Sequence, residues 1–256
     1  MKVISTVAEF DAARKLLEDK TVGFVPTMGA LHEGHASLIR RAVSECGAVV
    51  VSDFVNPTQF NNKTDFETYP RRLEDDAAFI EPMGVSVLFA PTVEEMYPEG
   101  TDYNKKVFDL GGLDRYGEGP RRPGHFNGMA QVVTRLFDIV RPDRAYFGEK
   151  DFQQLAIVEY FVKALGYNIE IVRCPIARGA DGLALSSRNK LLTPGQREAA
   201  PHIYRSILKA RDMVGKMPVA EAIKAVVSLI DADSRLRTEY VEIINSLTLR
   251  PVTDWN

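Results

Sequence analysis

The chain has 256 residues, 45% of them apolar and 26% charged, with a formal net charge of −3. This is the balance of a soluble globular protein holding one large domain or two modest ones. The absence of a basic excess argues against a nucleic-acid binder, whose phosphate contacts need a positive face. Two cysteines, Cys46 and Cys174, imply no disulfide framework, and no apolar run has the length of a membrane span. Glu9 and Asp11 fall where a signal peptide needs an unbroken apolar stretch, so a cytoplasmic protein is expected.

Residues 6–19 carry helical periodicity through Val7, Phe10, Leu16 and Leu17. The apolar run Val22 to Val25 reads as a buried strand. Residues Pro26 to Gly29 break it, and an amphipathic helix with Leu31, Leu38 and Ile39 follows. His32 and His35 lie three apart at that helix start, a spacing that puts both side chains on one face. Unpaired N–H groups and the positive end of the helix dipole already make the position an anion site, and Gly34 allows a phosphate close to the backbone. The competing readings are a solvated helix face and a metal site. No Cys-x-x-Cys, third histidine or HExxH accompanies the pair, so phosphate is favoured over zinc and no metal ligands are assigned.

A second strand, Ala48 to Val51, leads through Ser52, Asp53 and Phe54 to Asn56-Pro57, which stops it. Residues 71–83 read as a helix, 85–89 as a strand, 104–124 as irregular and 128–140 as a helix. A short strand at 145–147, a helix at 151–165 and a strand at 169–173 follow. Strands and helices alternating in this way imply an α/β protein with a parallel sheet and right-handed crossovers. Ligands of such sheets sit beyond the carboxyl ends of the strands. HEGH, NPTQF and GEKD each follow a strand, so all three are expected at one cleft. After Cys174 the texture changes: Pro175 and Gly179 to Gly182 mark a boundary, and Leu185 to Asn189 form a polar loop. Helices at about 195–214 and 218–231 and a strand from Glu239 to Ile244 suggest a smaller domain that closes over the first.

The motifs differ in chemistry. Asn56 and Gln59 offer amides that donate and accept, suited to a small hydroxy acid. Lys150 is a mobile cation for phosphate oxygens, and Asp151 with Gln154 reads as a helix capping box. Ser186, Ser187 and Arg188 present two hydroxyls and a guanidinium to a polyphosphate, with further cations in Arg121 to Phe126. Asp75 and Asp76 have two readings, contact with magnesium and a solvated helix face, and the charged face favours the second. No Ser-His-Asp triad, cysteine nucleophile or GxGxxG is present. The set suits attack at phosphorus, where positioning and charge neutralisation do most of the catalysis.

HxGH between a strand and a helix resembles the nucleotidyltransferase superfamily. VPTMGALHEGH, FVNPTQF, RPGHF, FGEKDFQQLA and DGLALSSRN, in this order and spacing from about residue 20 onward, resemble the pantoate–β-alanine ligases. The resemblance implies a Rossmann-like domain over 1–174, a smaller α+β C-terminal lid domain over 175–256, and a homodimer. It also implies that ATP and pantoate give pantoyl adenylate and pyrophosphate, and that β-alanine then displaces AMP. Met28, Gly29, Ala30, Leu31, His32, Glu33, Gly34 and His35 match its ATP motif, with His35 in the proton donor's place. Gly148, Glu149, Lys150, Asp151, Ala177 (through its backbone), Leu185, Ser186, Ser187 and Arg188 match the other ATP contacts. His35, His32, Lys150 and Arg188 are the catalytic candidates. Gln59 and Gln154 match the pantoate-binding glutamines, with Asn56 lining the pocket, and Mg2+ rides on the ATP phosphates.

Two departures stand out. Asp53 replaces an expected apolar residue and is costly if buried unpaired. The chain also stops about one strand pair early, so the lid is expected to be shortened, with Glu239 to Ile244 left as an uncovered edge. Two alternatives are adenylylation of a phosphorylated acceptor and a catalytically impaired ATP-binding protein.

Overall fold

Residues 1–255 are described by the computed structural model. The strands are β1 (Lys2–Ile4), β2 (Val22–Thr27), β3 (Ala48–Asp53), β4 (Val87–Phe89), β5 (Arg144–Gly148) and β6 (Glu170–Cys174). They form one sheet in the order β1-β4-β3-β2-β5-β6, with every neighbouring pair parallel. All of β2 except Pro26 is buried, as a central parallel strand covered on both faces must be. Successive side chains point to opposite faces, and the core divides accordingly. Phe24 and Val50 pack with Phe10 of α1 (Val7–Lys15), Phe137 of α6 (His125–Val140) and Phe161 of α7 (Phe152–Ala164). Val25, Val49 and Val51 pack instead with Ile39 of α2 (Glu33–Glu45) and with Ile80, which ends the helix Leu73–Ile80. Each such side chain contributes about 2 kcal/mol by leaving water.

One feature of the sheet positions the site. β2 pairs with β3 along six residues, to Thr27↔Asp53, but with β5 only at Gly23↔Arg144 and Phe24↔Ala145. Val22 accepts from Asp143 on the β5 side, whereas Thr27 accepts from Phe54 on the β3 side. Pro26 therefore faces the β5 side, past the last rung, where its missing N–H leaves no ladder bond unmade. The order also reverses here, with β3 and β4 on one side and β5 and β6 on the other. The carboxyl ends of β2 and β5 thus flank a crevice at the topological switch point.

The chain forms two compact units, Met1–Ile176 and Ala177–Asn256. Within the second, α8 (Pro194–Ala199) gives way to α9 (Pro201–Arg211), followed by α10 (Val219–Asp231). The single helix expected at 195–214 is broken because Pro201 has no N–H and takes the first position of a new helix. Val219, Ala222, Val226 and Ile230 form the buried stripe of α10, the spacing of one helix face.

The strand expected from Glu239 to Ile244 does not form: its trace is one antiparallel bridge, Ile244↔Pro251. Asn245 accepts from Leu247, Thr248 and the Thr248 hydroxyl, closing a turn. Pro251, with no N–H, cannot extend a ladder. β1 was not anticipated; three residues are too few to show a period. The 71–83 helix is shorter and ends in a 3-10 turn over Glu81–Met83, which accommodates Pro82.

α6 approaches the turn after β3 closely. A Cβ on Gly128 would lie 2.1 Å from the Thr58 carbonyl oxygen and 2.8 Å from Gln59 Cα. These are backbone atoms that cannot step aside, so overpacking of about 3 kcal/mol is expected. Gly128→Ala should lower the midpoint of thermal unfolding by several degrees; an unchanged midpoint would contradict this packing.

Candidate active site

The loop leaving β2 is built by short-range hydrogen bonds. The Thr27 hydroxyl donates to Ser52 O at 2.6 Å and accepts the Gly29 N–H at 3.4 Å. Gly29 lies at φ +63°, a left-handed conformation that glycine adopts without steric cost. The Tyr69 hydroxyl donates to Gly29 O at 2.8 Å, and the Leu31 N–H donates to Asp76 Oδ1 at 2.6 Å. The loop delivers His32 as the N-cap of α2, its Nδ1 accepting the Gly34 N–H at 3.0 Å. Accepting at Nδ1 assigns the proton of the neutral ring to Nε2.

The rings of His32 and His35 lie 4.1 Å apart between centroids, so the two histidines do meet at the helix start. His35 Nδ1 is buried without a hydrogen-bond partner among the described residues. Burial, then His32 and Lys150, push its pKa down to about 3. In the free chain His35 is therefore a neutral hydrogen-bonding group rather than a cation.

Lys150 comes from a 3-10 turn, Glu149–Asp151, directly after β5. Its ammonium lies 3.1 Å from Asp151 Oδ1, and its charge acts on His35. The loops after β2 and β5 therefore meet electrostatically across the crevice. The capping box expected here is absent: Asp151 makes no cap bond to α7. Its carboxylate belongs to the 3-10 turn and reaches Lys150 instead. In the first turn of α7, Gln153 is fully engaged by Glu118, Leu113 and Tyr116. Half-buried Gln154 has none of these ties.

The turn after β3 contributes Asn56 and Gln59. Asn56 is 0% exposed. Its Nδ2 donates to Gly128 O at 3.1 Å and Gln59 Oε1 at 3.3 Å. Its Oδ1 accepts from the Tyr97 hydroxyl at 2.8 Å and from the Thr58 N–H and hydroxyl. Asn56 is therefore enclosed, and one of its bonds orients Gln59. His125, read from the sequence only as part of a cationic stretch, is buried, its Nδ1 at 2.7 Å from Gln59 O. Tyr97 sits outside every motif, and His125, though part of RPGHF, carries no local sequence signal that marks it as a support of Gln59.

Asp76, expected to be solvated, is 3% exposed, because the Leu31 N–H draws it inward. Asp75 beside it is exposed and pairs loosely with Arg72. Asp53 is half-buried, and its carboxyl adjoins that of Asp76 beside Gly29, so it is not alone.

The second unit arranges its own candidates. The Leu185 N–H donates to Ala177 O at 3.0 Å, and Arg178 bridges to Ala184. This closes a hairpin that places Ala177 beside Leu185. Ser186 Oγ accepts the Arg188 N–H at 3.3 Å as the cap of a 3-10 helix, Ser187–Leu191. Ser187 is buried and Arg188 exposed.

A parallel sheet whose switch-point crevice is faced by paired histidines at a helix start and by a lysine defines a nucleotide-handling α/β protein. Comparison with known proteins specifies which. The sequence model of the Pantoate-beta-alanine ligase family matches residues 2–255, and the chain belongs to that family. It is 53% identical to the pantothenate synthetase of Phocaeicola vulgatus, over 100% of this chain and 90% of the relative. It is 50% identical to that of Thermus thermophilus, over 100% and 91%. The crystal structure of the Thermus thermophilus enzyme superposes with a TM-score of 0.92, at 49% identity over 100% of this chain and 91% of that one. A Francisella tularensis pantoate-beta-alanine ligase complexed with beta-gamma ATP and beta-alanine matches with a TM-score of 0.79 at 42% identity, over 90% and 86%.

Burial, and then the neighbouring Asp76 charge, push the Asp53 pKa up to about 7. An acid whose folded pKa lies above its unfolded value of about 3.9 weakens the fold as pH rises between the two, with the loss complete above the folded value. Asp53→Asn removes that loss. It should stabilise the protein at pH 8 by about 1–3 kcal/mol, with little effect near pH 4. Thermal unfolding at both pH values checks this, and equal shifts at both would contradict it.

Proposed function

We propose that this chain ligates pantoate to β-alanine at the expense of ATP, through a pantoyl adenylate formed in the crevice between β2 and β5. A pantoate carboxylate oxygen attacks the α-phosphorus and pyrophosphate leaves. The β-alanine amine then attacks the acyl carbon, the C–O bond to AMP breaks, and the amine loses a proton. The observation that carries this reading, beside family membership, is the His32–His35 pair, rings 4.1 Å apart at the start of α2, with Lys150 in the turn after the neighbouring strand β5.

Lys150 supplies the positive charge for the phosphates, and magnesium accompanies ATP as their counter-ion. The two imidazoles contribute hydrogen bonds that strengthen as charge develops on the phosphoryl oxygens. A neutral His35 favours this role over proton donation from an imidazolium. Met28 to Leu31 and Gly148 to Asp151 frame the nucleotide through their backbones. The amides of Gln59 and Gln154 hold pantoate, Gln59 being fixed by Asn56 and His125. In the family reading Leu185 to Arg188 and Ala177 are further ATP contacts, and two copies of the chain form a dimer.

The test is pantoate-dependent exchange of pyrophosphate into ATP, with magnesium and without β-alanine. Exchange that requires pantoate is the expected result; exchange supported instead by a phosphorylated acceptor would overturn the assignment. Lys150→Ala and His35→Ala should each reduce exchange by about 100-fold. Gln59→Ala should raise the KM for pantoate about tenfold with a smaller change in kcat, as the loss of a ground-state hydrogen bond does.

A further inference from the structure

Behind the ATP loop lies a pair of acids that the reaction itself does not employ. A Cβ on Gly29 would lie 2.7 Å from Asp53 Oδ1 and 2.8 Å from Asp76 Oδ2, so both carboxyls crowd the left-handed turn. Asp76 reaches it from the first turn of its helix, Leu73–Ile80, whose N-terminal N–H groups and dipole favour a charged carboxylate. Its other oxygen accepts the Leu31 N–H at 2.6 Å, a length typical of charge-assisted bonds. Asp53, at the end of β3, has no helix terminus to favour its charge, so a proton held by the pair is assigned to Asp53. Two adjoining carboxyls, one buried and one half-buried, hold one proton between them more readily than none.

We propose that Asp53 and Asp76 are positioning residues for ATP. Asp53 keeps a proton and donates it to Asp76, and Asp76 in turn holds the Leu31 N–H, setting the turn from Met28 to His32 from which both histidines project. This rests on the assignment of that turn to ATP under Proposed function. Asp76 is the charge acting on Asp53. The Thr27 hydroxyl of β2 is spent on Ser52 O, and the Tyr69 hydroxyl on Gly29 O. When Asp53 loses its proton, two carboxylates face each other beneath the turn and beside the bound phosphates. ATP binding is then weakened by repulsion and by displacement of the Leu31 N–H.

The experiment is ATP binding by titration calorimetry from pH 6 to 8.5 in the wild-type chain, Asp53→Asn and Asp76→Asn. The titration of ATP is common to the wild type and Asp53→Asn, so the difference between their profiles reports the pair. The wild-type Kd should rise by roughly tenfold more than that of Asp53→Asn over this range, because the amide donates at every pH. Asp76→Asn should bind ATP more weakly throughout, with no such extra slope. Superimposable profiles for wild type and Asp53→Asn would overturn the inference, even if Asp76→Asn proves too unstable to measure. ATP binding with the expected slopes but no pyrophosphate exchange would uphold the positioning role and sink the adenylation reading. Absence of ATP binding in all three proteins would sink both.

Discussion

The site depends on a ladder that stops early. β2 and β5 pair at two residues and then part, while β2 and β3 stay paired to Thr27 and Asp53. A full ladder on both sides would leave no opening at the switch point, and Pro26 faces the open side, where it cannot donate a further bond. Everything chemical hangs from the strand ends this exposes: the turn to His32 from β2, the Asn56–Gln59 turn from β3, and Lys150 from β5. The strands are fixed by apolar packing on both faces, so the three loops start from rigid points.

Polar groups at the site fall into two kinds. Asn56 and His125 are buried, and they and half-buried Gln153 are bonded to protein atoms, so they act through the groups they hold. Lys150 and Gln154 remain partly open to solvent. Pre-formed support beneath a small number of exposed donors is the arrangement that positioning catalysis needs, because little reorganisation remains when substrate arrives. His35 belongs to both kinds: its ring is mostly enclosed, yet one nitrogen has no partner among the described residues.

Much of this was legible from residues alone, for reasons that also explain the failures. The alternation of apolar runs and amphipathic stretches revealed the parallel sheet, because buried strands and one-sided helices write different periods into a sequence. The placement of three motifs after three strands revealed the cleft. Contacts between distant segments were not legible. Asp76 looks like its neighbour Asp75 until Leu31 is brought to it, and nothing near Asn56 in sequence announces its bonds to Tyr97 and Gly128. Asp151 has the spacing of a cap, but the 3-10 turn before it redirects its carboxylate. Glu239 to Ile244 has the composition of a strand, and composition cannot supply a partner.

The closeness of α6 to the turn carrying Gln59 has a further consequence for motion. With the Thr58 carbonyl seated against Gly128, that turn opens only if a helix buried along most of its length also shifts. Its local opening free energy should approach that of the global fold, whereas the exposed Glu149–Asp151 turn is free to open alone. The two walls of the crevice therefore differ in kind. One shares the rigidity of the core; the other is held by its own turn.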